Sequence, residues 1–206
     1  MRKILIITMT MILVLSACNA VNTEGQQNAS PVQGDVTTRY EDDAALFAEL
    51  YPVSQENPFI FASYEEVTDL LEIGTGILVF GFPDCPRCQN AFPVLEQAFY
   101  EKNLQERAGY RGKILYYDIF DDRAEGNERY QTLVSRLEEY LQTDDDGNPR
   151  IFVPDVFFLA SGDIVGNHMD TVSSQENPGD RLTEQQAAEL LDIYKDLITE
   201  MENRCC

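Results

Sequence analysis

The chain has 206 residues, with 15 Lys+Arg against 36 Asp+Glu for a formal net charge of −21, and it is 44% hydrophobic with no Trp. That length suits one domain plus accessory segments, and the apolar content supplies a core, which excludes global disorder. The charge argues against nucleic acid as a partner and against a polybasic grip on anionic lipid, because both need clustered Lys and Arg.

Residues 1–17 read as an address rather than as fold. Arg2 and Lys3 precede an apolar run, Ile4–Leu15, and the small residues Ser16 and Ala17 lead to Cys18. This is the layout of a cleaved export signal. The run is too short for a bilayer span, which needs about 20 residues. Residues 18–40 read as a flexible tether, since Asn22–Thr38 is rich in Gln, Asn, Thr, Ser and Gly. The remainder, 41–206, reads as the folded domain with an N-terminal extension and a Cys205-Cys206 tail.

Within that domain Asp42–Leu50 predicts a short helix and Phe59–Ala62 an edge strand. Ser63 with Glu66 three residues on is a capping-box signature for a helix reaching about Ile73, where Gly74 stops it. Ile77–Phe82 is a continuous apolar run, as expected of a strand buried on both faces. A helix is predicted from Cys85 to about Ala108, a second buried strand over Lys113–Phe120, and an amphipathic helix over Glu125–Gln142. Val156–Leu159 and Asp163–Gly166 predict a hairpin turning at Ala160-Ser161-Gly162, and Thr183 caps a final helix. His168 is placed in the loop after the hairpin. The order implies an α/β layer fold with a central mixed sheet flanked by helices.

The segment Phe82-Pro83-Asp84-Cys85-Pro86-Arg87-Cys88 carries the chemistry. A helix begins at Cys85, so unpaired first-turn amides and the helix dipole favour a thiolate there. Arg87 adds positive charge, Asp84 opposes it, and Pro86 sits where a missing N–H costs little. Cys85 and Cys88 share one helical face within bonding reach. Cys85 is read as the exposed nucleophile and Cys88 as the resolving thiol. Half of a zinc site and a purely structural disulfide are the competing readings; no second CxxC follows, and His168 is the only histidine. Asp144, Asp146 and Asn148 alternate as calcium-loop ligands do, yet no Glu closes the loop, so a solvated turn is the reading. Asp118, Asp121 and Asp122 read as a charged strand end, and no metal or cofactor site is assigned.

CPRC after an apolar strand, Pro93 five residues beyond Cys88, and Val153-Pro154 ahead of a strand together resemble the thioredoxin-fold family over about Phe59–Met201. The resemblance implies that Pro154 is cis and packs beside the cysteine pair, with an extra helical segment before the strand that follows it. It also implies thiol–disulfide oxidoreductase activity through Cys85 and Cys88, with Pro86, Arg87 and Pro154 shaping the site. Leu15-Ser16-Ala17-Cys18 resembles the lipobox of bacterial lipoproteins, which implies lipidation at Cys18 and a location on the outer face of the cytoplasmic membrane. FGFPDCPRC with TVSSQENP and LTEQQAAELLDIY is similar to thioredoxin-like lipoproteins of Gram-positive bacteria, related in kind to bacteriocin-transport accessory proteins.

Three departures stand out. The family keeps a buried Asp six residues before the first cysteine, where this chain has Val79. Its Trp before that cysteine is Asp84, and its Gly-Pro between the cysteines is Pro-Arg. The CPxC pair and Val153 resemble DsbA-type oxidases, although residues 121–150 are too few for their helical insertion. The implied partners are protein thiols and disulfides outside the cytoplasm and a redox partner at the membrane or outside the cell, while the tail Cys205-Cys206 reads either as a mobile redox relay or as a frayed end with incidental thiols or an intermolecular bridge. The alternative is a non-catalytic binding or accessory module for export or a membrane complex.

Overall fold

The computed structural model describes residues 36–204. The signal segment, the lipidation expected at Cys18 and the relay expected of Cys205 and Cys206 lie outside the described residues.

A five-stranded sheet organises the fold. β1 (Phe59–Phe61), β2 (Gly76–Gly81), β3 (Ile114–Asp118), β6 (Asp155–Ala160) and β7 (Asp163–Met169) stand in the order β1-β3-β2-β6-β7. The first three run parallel, and β6 and β7 form an antiparallel hairpin against β2. Among the described residues six α-helices complete the order: α1 (Val36–Leu50), α2 (Tyr64–Ile73), α3 (Pro86–Glu101), α4 (Phe120–Glu125), α5 (Glu128–Leu137) and α6 (Glu184–Arg204). A small separate ribbon, β4 (Gln142–Thr143) with β5 (Pro149–Arg150), follows α5. The arrangement is thioredoxin-like.

Side chains alternate across a strand, so the two faces of the sheet receive different residues. Val79 on β2 pairs with Tyr116 of β3 on one side and Val156 of β6 on the other, and the three share a face with α1, α3, α6 and both cysteines. Phe80, Tyr117 and Phe157 point the other way, toward α2 and α5. β2 is buried throughout. This is why its sequence reads as an unbroken apolar run.

Local signals set several boundaries. Ser63 and Glu66 form the reciprocal capping box, Glu66 N–H to Ser63 Oγ at 3.2 Å and Ser63 N–H to Glu66 Oε2 at 2.8 Å. Thr183 and Gln186 repeat it at the start of α6. Gly162 turns the β6–β7 hairpin at φ +84°, and a Cβ there would fall 2.2 Å from the Glu72 carbonyl oxygen, so the position excludes a side chain twice over.

Elsewhere the structure corrects the predicted bounds. α1 starts at Val36, inside the segment read as tether, and is built into the domain. Its Phe47 is fully buried and stacks on Phe59 at 4.2 Å, and Arg39 bonds Glu66 and the Phe61 carbonyl. The helix expected to reach Ala108 ends at Glu101, because Asn103 adopts the left-handed conformation (φ 55°) and two single 3-10 turns follow. The strand expected to reach Phe120 ends at Asp118. The helix expected over Glu125–Gln142 is shorter, α5 running Glu128–Leu137; Gly126 at φ 58° separates it from α4, which was not anticipated, and Asn127 caps it, its side chain accepting the Tyr130 amide at 3.1 Å. β7 extends to Met169, so His168 lies in the strand and not in the loop beyond it.

Candidate active site

The C-terminal end of β2 delivers the chain into Phe82-Pro83-Asp84, and α3 begins immediately after Cys85. The Cys85 amide donates to the Phe82 carbonyl at 3.1 Å, closing a tight turn. Gln89 Nε2 pins that turn from inside α3, donating to the carbonyls of Pro83 (3.0 Å) and Leu50 (2.9 Å). Pro86 occupies the first helical position and is exposed. Gly81, at the strand end, lets the layers close: a Cβ there would meet the Phe92 ring at 2.9 Å and the Tyr116 ring at 3.0 Å.

Cys85 is the N-cap of α3. Its Sγ accepts the Cys88 backbone N–H at 3.1 Å, and the two cysteines, with Cα atoms 5.2 Å apart, are joined as a disulfide. One orphan amide of the helix start is therefore aimed at the sulfur that would carry charge when the bond opens. Cys85 retains 4% of its surface and Cys88 none. The expectation of an exposed nucleophile is corrected to a nearly buried one, because the sulfur bonds inward to Cys88 and the Val153 carbonyl oxygen lies 3.7 Å away across it. Cys85 is still the only member of the pair that reaches solvent.

The Val153–Pro154 peptide is cis, and Pro154 is buried. Its carbonyl accepts the Asp170 amide at 2.7 Å, tying this loop to the end of β7. Arg87 reaches the same place: its guanidinium lies 2.6 Å from Asp170 and 3.4 Å from Thr171 Oγ1. The lone positive charge expected beside the sulfur is thus half of an ion pair, whose field at Cys85 is that of a dipole.

Val79 is fully buried in the sheet between Tyr116 and Val156. Sharing that face is a phenol pair that sequence reasoning did not anticipate, Tyr51 and Tyr116, with hydroxyls 2.9 Å apart. Burial raises both well above the ordinary tyrosine range, so they stay neutral. Asp118 closes β3 opposite Gly81 and accepts the Phe120 amide at 2.9 Å; burial raises its carboxyl above the usual carboxylate range.

Asp155 was missed altogether. It follows Pro154, is 1% exposed, and faces away from Val156, with one neutral partner, Asn167 Nδ2, at 2.8 Å. Burial pushes it up to about 7. The signal was present as an acid opening an otherwise apolar strand. Asp144 spends its Oδ1 on the amides of Asp146 and Asn148 as a turn acceptor. Among the described residues no group of three His, Cys, Asp or Glu is placed to hold a metal ion.

Comparison with protein-family models, with curated proteins and with solved structures found no match. A disulfide at a helix N-terminus, with one cysteine retaining slight solvent exposure and a backbone carbonyl beside its sulfur, is an arrangement compatible with thiol–disulfide exchange.

Proposed function

We propose that this protein is a thiol–disulfide oxidoreductase that works on protein substrates outside the cytoplasm, tethered to the membrane through lipid on Cys18. The observation that carries the activity is the Cys88 N–H directed at Cys85 Sγ in a closed pair. The export signal and the order Leu15-Ser16-Ala17-Cys18 support the location.

Starting from the disulfide, a substrate thiolate attacks Cys85 Sγ, and the Cys85–Cys88 bond breaks as the new S–S bond forms. Cys88 departs as a thiolate and takes up a proton. A second substrate thiolate then attacks the substrate sulfur of the mixed disulfide and releases Cys85 as a thiolate, stabilised by the Cys88 amide. The substrate loses two electrons to form its cystine and the protein gains two. With a cystine substrate the same steps run in reverse, and relative reduction potentials set the direction. Cys88 is the buried resolving sulfur, and Val79 beside it in the core offers no proton relay, so its proton comes from water or substrate.

The test is capture. Reduced Cys88→Ser should form a stable mixed disulfide with a cystine peptide, and Cys85→Ser should not. Iodoacetamide reactivity of reduced Cys85 should titrate about one unit or more below the ordinary thiol value of about 8.5. Absence of the adduct together with an ordinary thiol pKa would leave the second reading, a non-catalytic binding module. The 4% exposure of Cys85 is the observation that favours that alternative.

A further inference from the structure

Two aromatic residues stand in the segments that meet at the disulfide, Phe82 before CPRC and Phe152 before Val153-Pro154, and each ring carries a guanidinium. Arg123 of α4 lies 5.0 Å from the Phe82 ring centre, and Arg150 of β5 lies 5.6 Å from that of Phe152. Arg123 also reaches the Ile151 carbonyl, with Nη1 3.4 Å away, so it bridges the two segments that flank the sulfurs. Both arginines line a cleft of about 490 Å³ between α5 and the β4–β5 ribbon, together with Gln131 and Asn148.

Among the described residues no carboxylate forms an ion pair with Arg123 or Arg150, and Arg150 Nε is buried without a hydrogen-bond partner. Asp144 also lines the cleft, but its Oδ1 is held by two loop amides; Asp118 and Tyr130 act on Arg123 only through longer-range charge. Burial first, and Arg150 second, lower the proton affinity of Arg123. Two like charges half-buried side by side, in a chain of net charge −21, lack the anion that would offset them. The cleft is also close to the chemistry. Arg150 is three residues from Val153, a reach of about 10 Å in extended chain, and the Val153 carbonyl lies 3.7 Å from Cys85 Sγ.

We propose that this cleft receives an Asp or Glu side chain of the polypeptide whose cystine or thiol meets Cys85, so that Arg123 and Arg150 select acidic substrate segments. Planar guanidinium donors suit a carboxylate, and Phe120, exposed and packed on Phe82 at 5.5 Å, extends the surface with an apolar contact. The inference rests on the redox reading for its substrate, although the cleft can be tested without it.

The experiment uses the oxidised full chain and two fluorescent peptides, one bearing Glu residues around a Ser in place of cysteine and one bearing Lys there. Anisotropy should show the Glu peptide binding about tenfold more tightly, despite the repulsion expected from a protein of net charge −21. The advantage should shrink with added salt and vanish in Arg123→Gln/Arg150→Gln, while Arg150→Lys, which keeps the charge, should retain part of it. Tighter binding of the Lys peptide, or an equal preference in wild type and double variant, overturns the proposal; competition by inorganic phosphate as effective as by the Glu peptide does so too, since it shows a small-anion site. Cystine versions of the same peptides then report exchange rates. Exchange without a charge preference defeats the cleft and leaves the redox reading standing; binding preference without exchange does the reverse.

Discussion

The two faces of the sheet differ most where they meet the disulfide. On the α3 face, Val79, Tyr116 and Val156 lie side by side near the cysteines, and the polar feature directed at sulfur is a backbone N–H. One residue along β6, Asp155 puts a buried carboxyl on the opposite face, and Arg123 and Arg150 lie on that side as well. Strand periodicity makes this a matter of a single position: shifting the acid by one residue moves it from one face to the other. The sulfur's electrostatics therefore come first from the helix-start amide, with the Arg87–Asp170 pair a partly cancelled addition, while the fully buried carboxyl is kept across the sheet.

The largest break in that contrast would be to put a carboxyl on the sulfur's face. Val79→Asp buries an acid among Tyr116, Val156 and the cysteines, and should cost about 3–5 kcal/mol at pH 7, read as a fall in the urea midpoint. The cost should grow with pH, because the acid must remain protonated to stay buried. A loss under about 1 kcal/mol would mean that water reaches this face.

The reverse change acts on the other face with the opposite sign. Asp155 is held near 7 when folded against an ordinary 3.8. The folded chain then keeps a proton that the unfolded chain releases, so stability from this group is highest below about pH 4, declines as pH rises toward 7, and is flat above. Asp155→Asn should abolish that slope and raise stability at pH 8 by about 2–4 kcal/mol. Unfolding curves of both proteins at pH 5 and pH 8 check it: the two should converge at the lower pH.

A smaller effect belongs to the phenols beside Val79. Tyr116→Phe leaves the Tyr51 hydroxyl buried without its 2.9 Å partner, and should cost about 1–2 kcal/mol. Removing both hydroxyls should cost less than twice that, because no orphan is then left. A strictly additive double mutant would show that the pair is not coupled.

How much of this was readable in the chain follows the same division. Continuous apolar β2, the capping box at Ser63 and the strand–CPRC–helix junction are local patterns, and local patterns survive folding. Short α4 was hidden because it buries no apolar residue that could set a periodicity, whereas Tyr130, Leu133 and Leu137 give α5 its apolar face. Asp155 was hidden by starting the strand one residue late, at Val156. Arg123 and Arg150 are far apart in sequence and carry no spacing signal; only the return of the chain through β5 brings both to one cleft. The pairing of Arg87 with Asp170 was hidden for the same reason, since 83 residues separate them.

That pair supplies the smallest test, and it bears directly on what holds a thiolate at Cys85. Arg87→Gln removes a cation but leaves the Asp170 carboxylate, so the thiol pKa of reduced Cys85 should rise. Asp170→Asn frees the guanidinium and should lower it. Each shift should be about half a unit, because the groups are partly solvated and screened by salt. The double variant should return close to wild type if the helix-start amide dominates, and the pH profile of iodoacetamide alkylation measures all four proteins. A rise of two units or more in Arg87→Gln alone would transfer control of the sulfur from the backbone dipole to a side chain, and the contrast between the two faces would no longer describe the site.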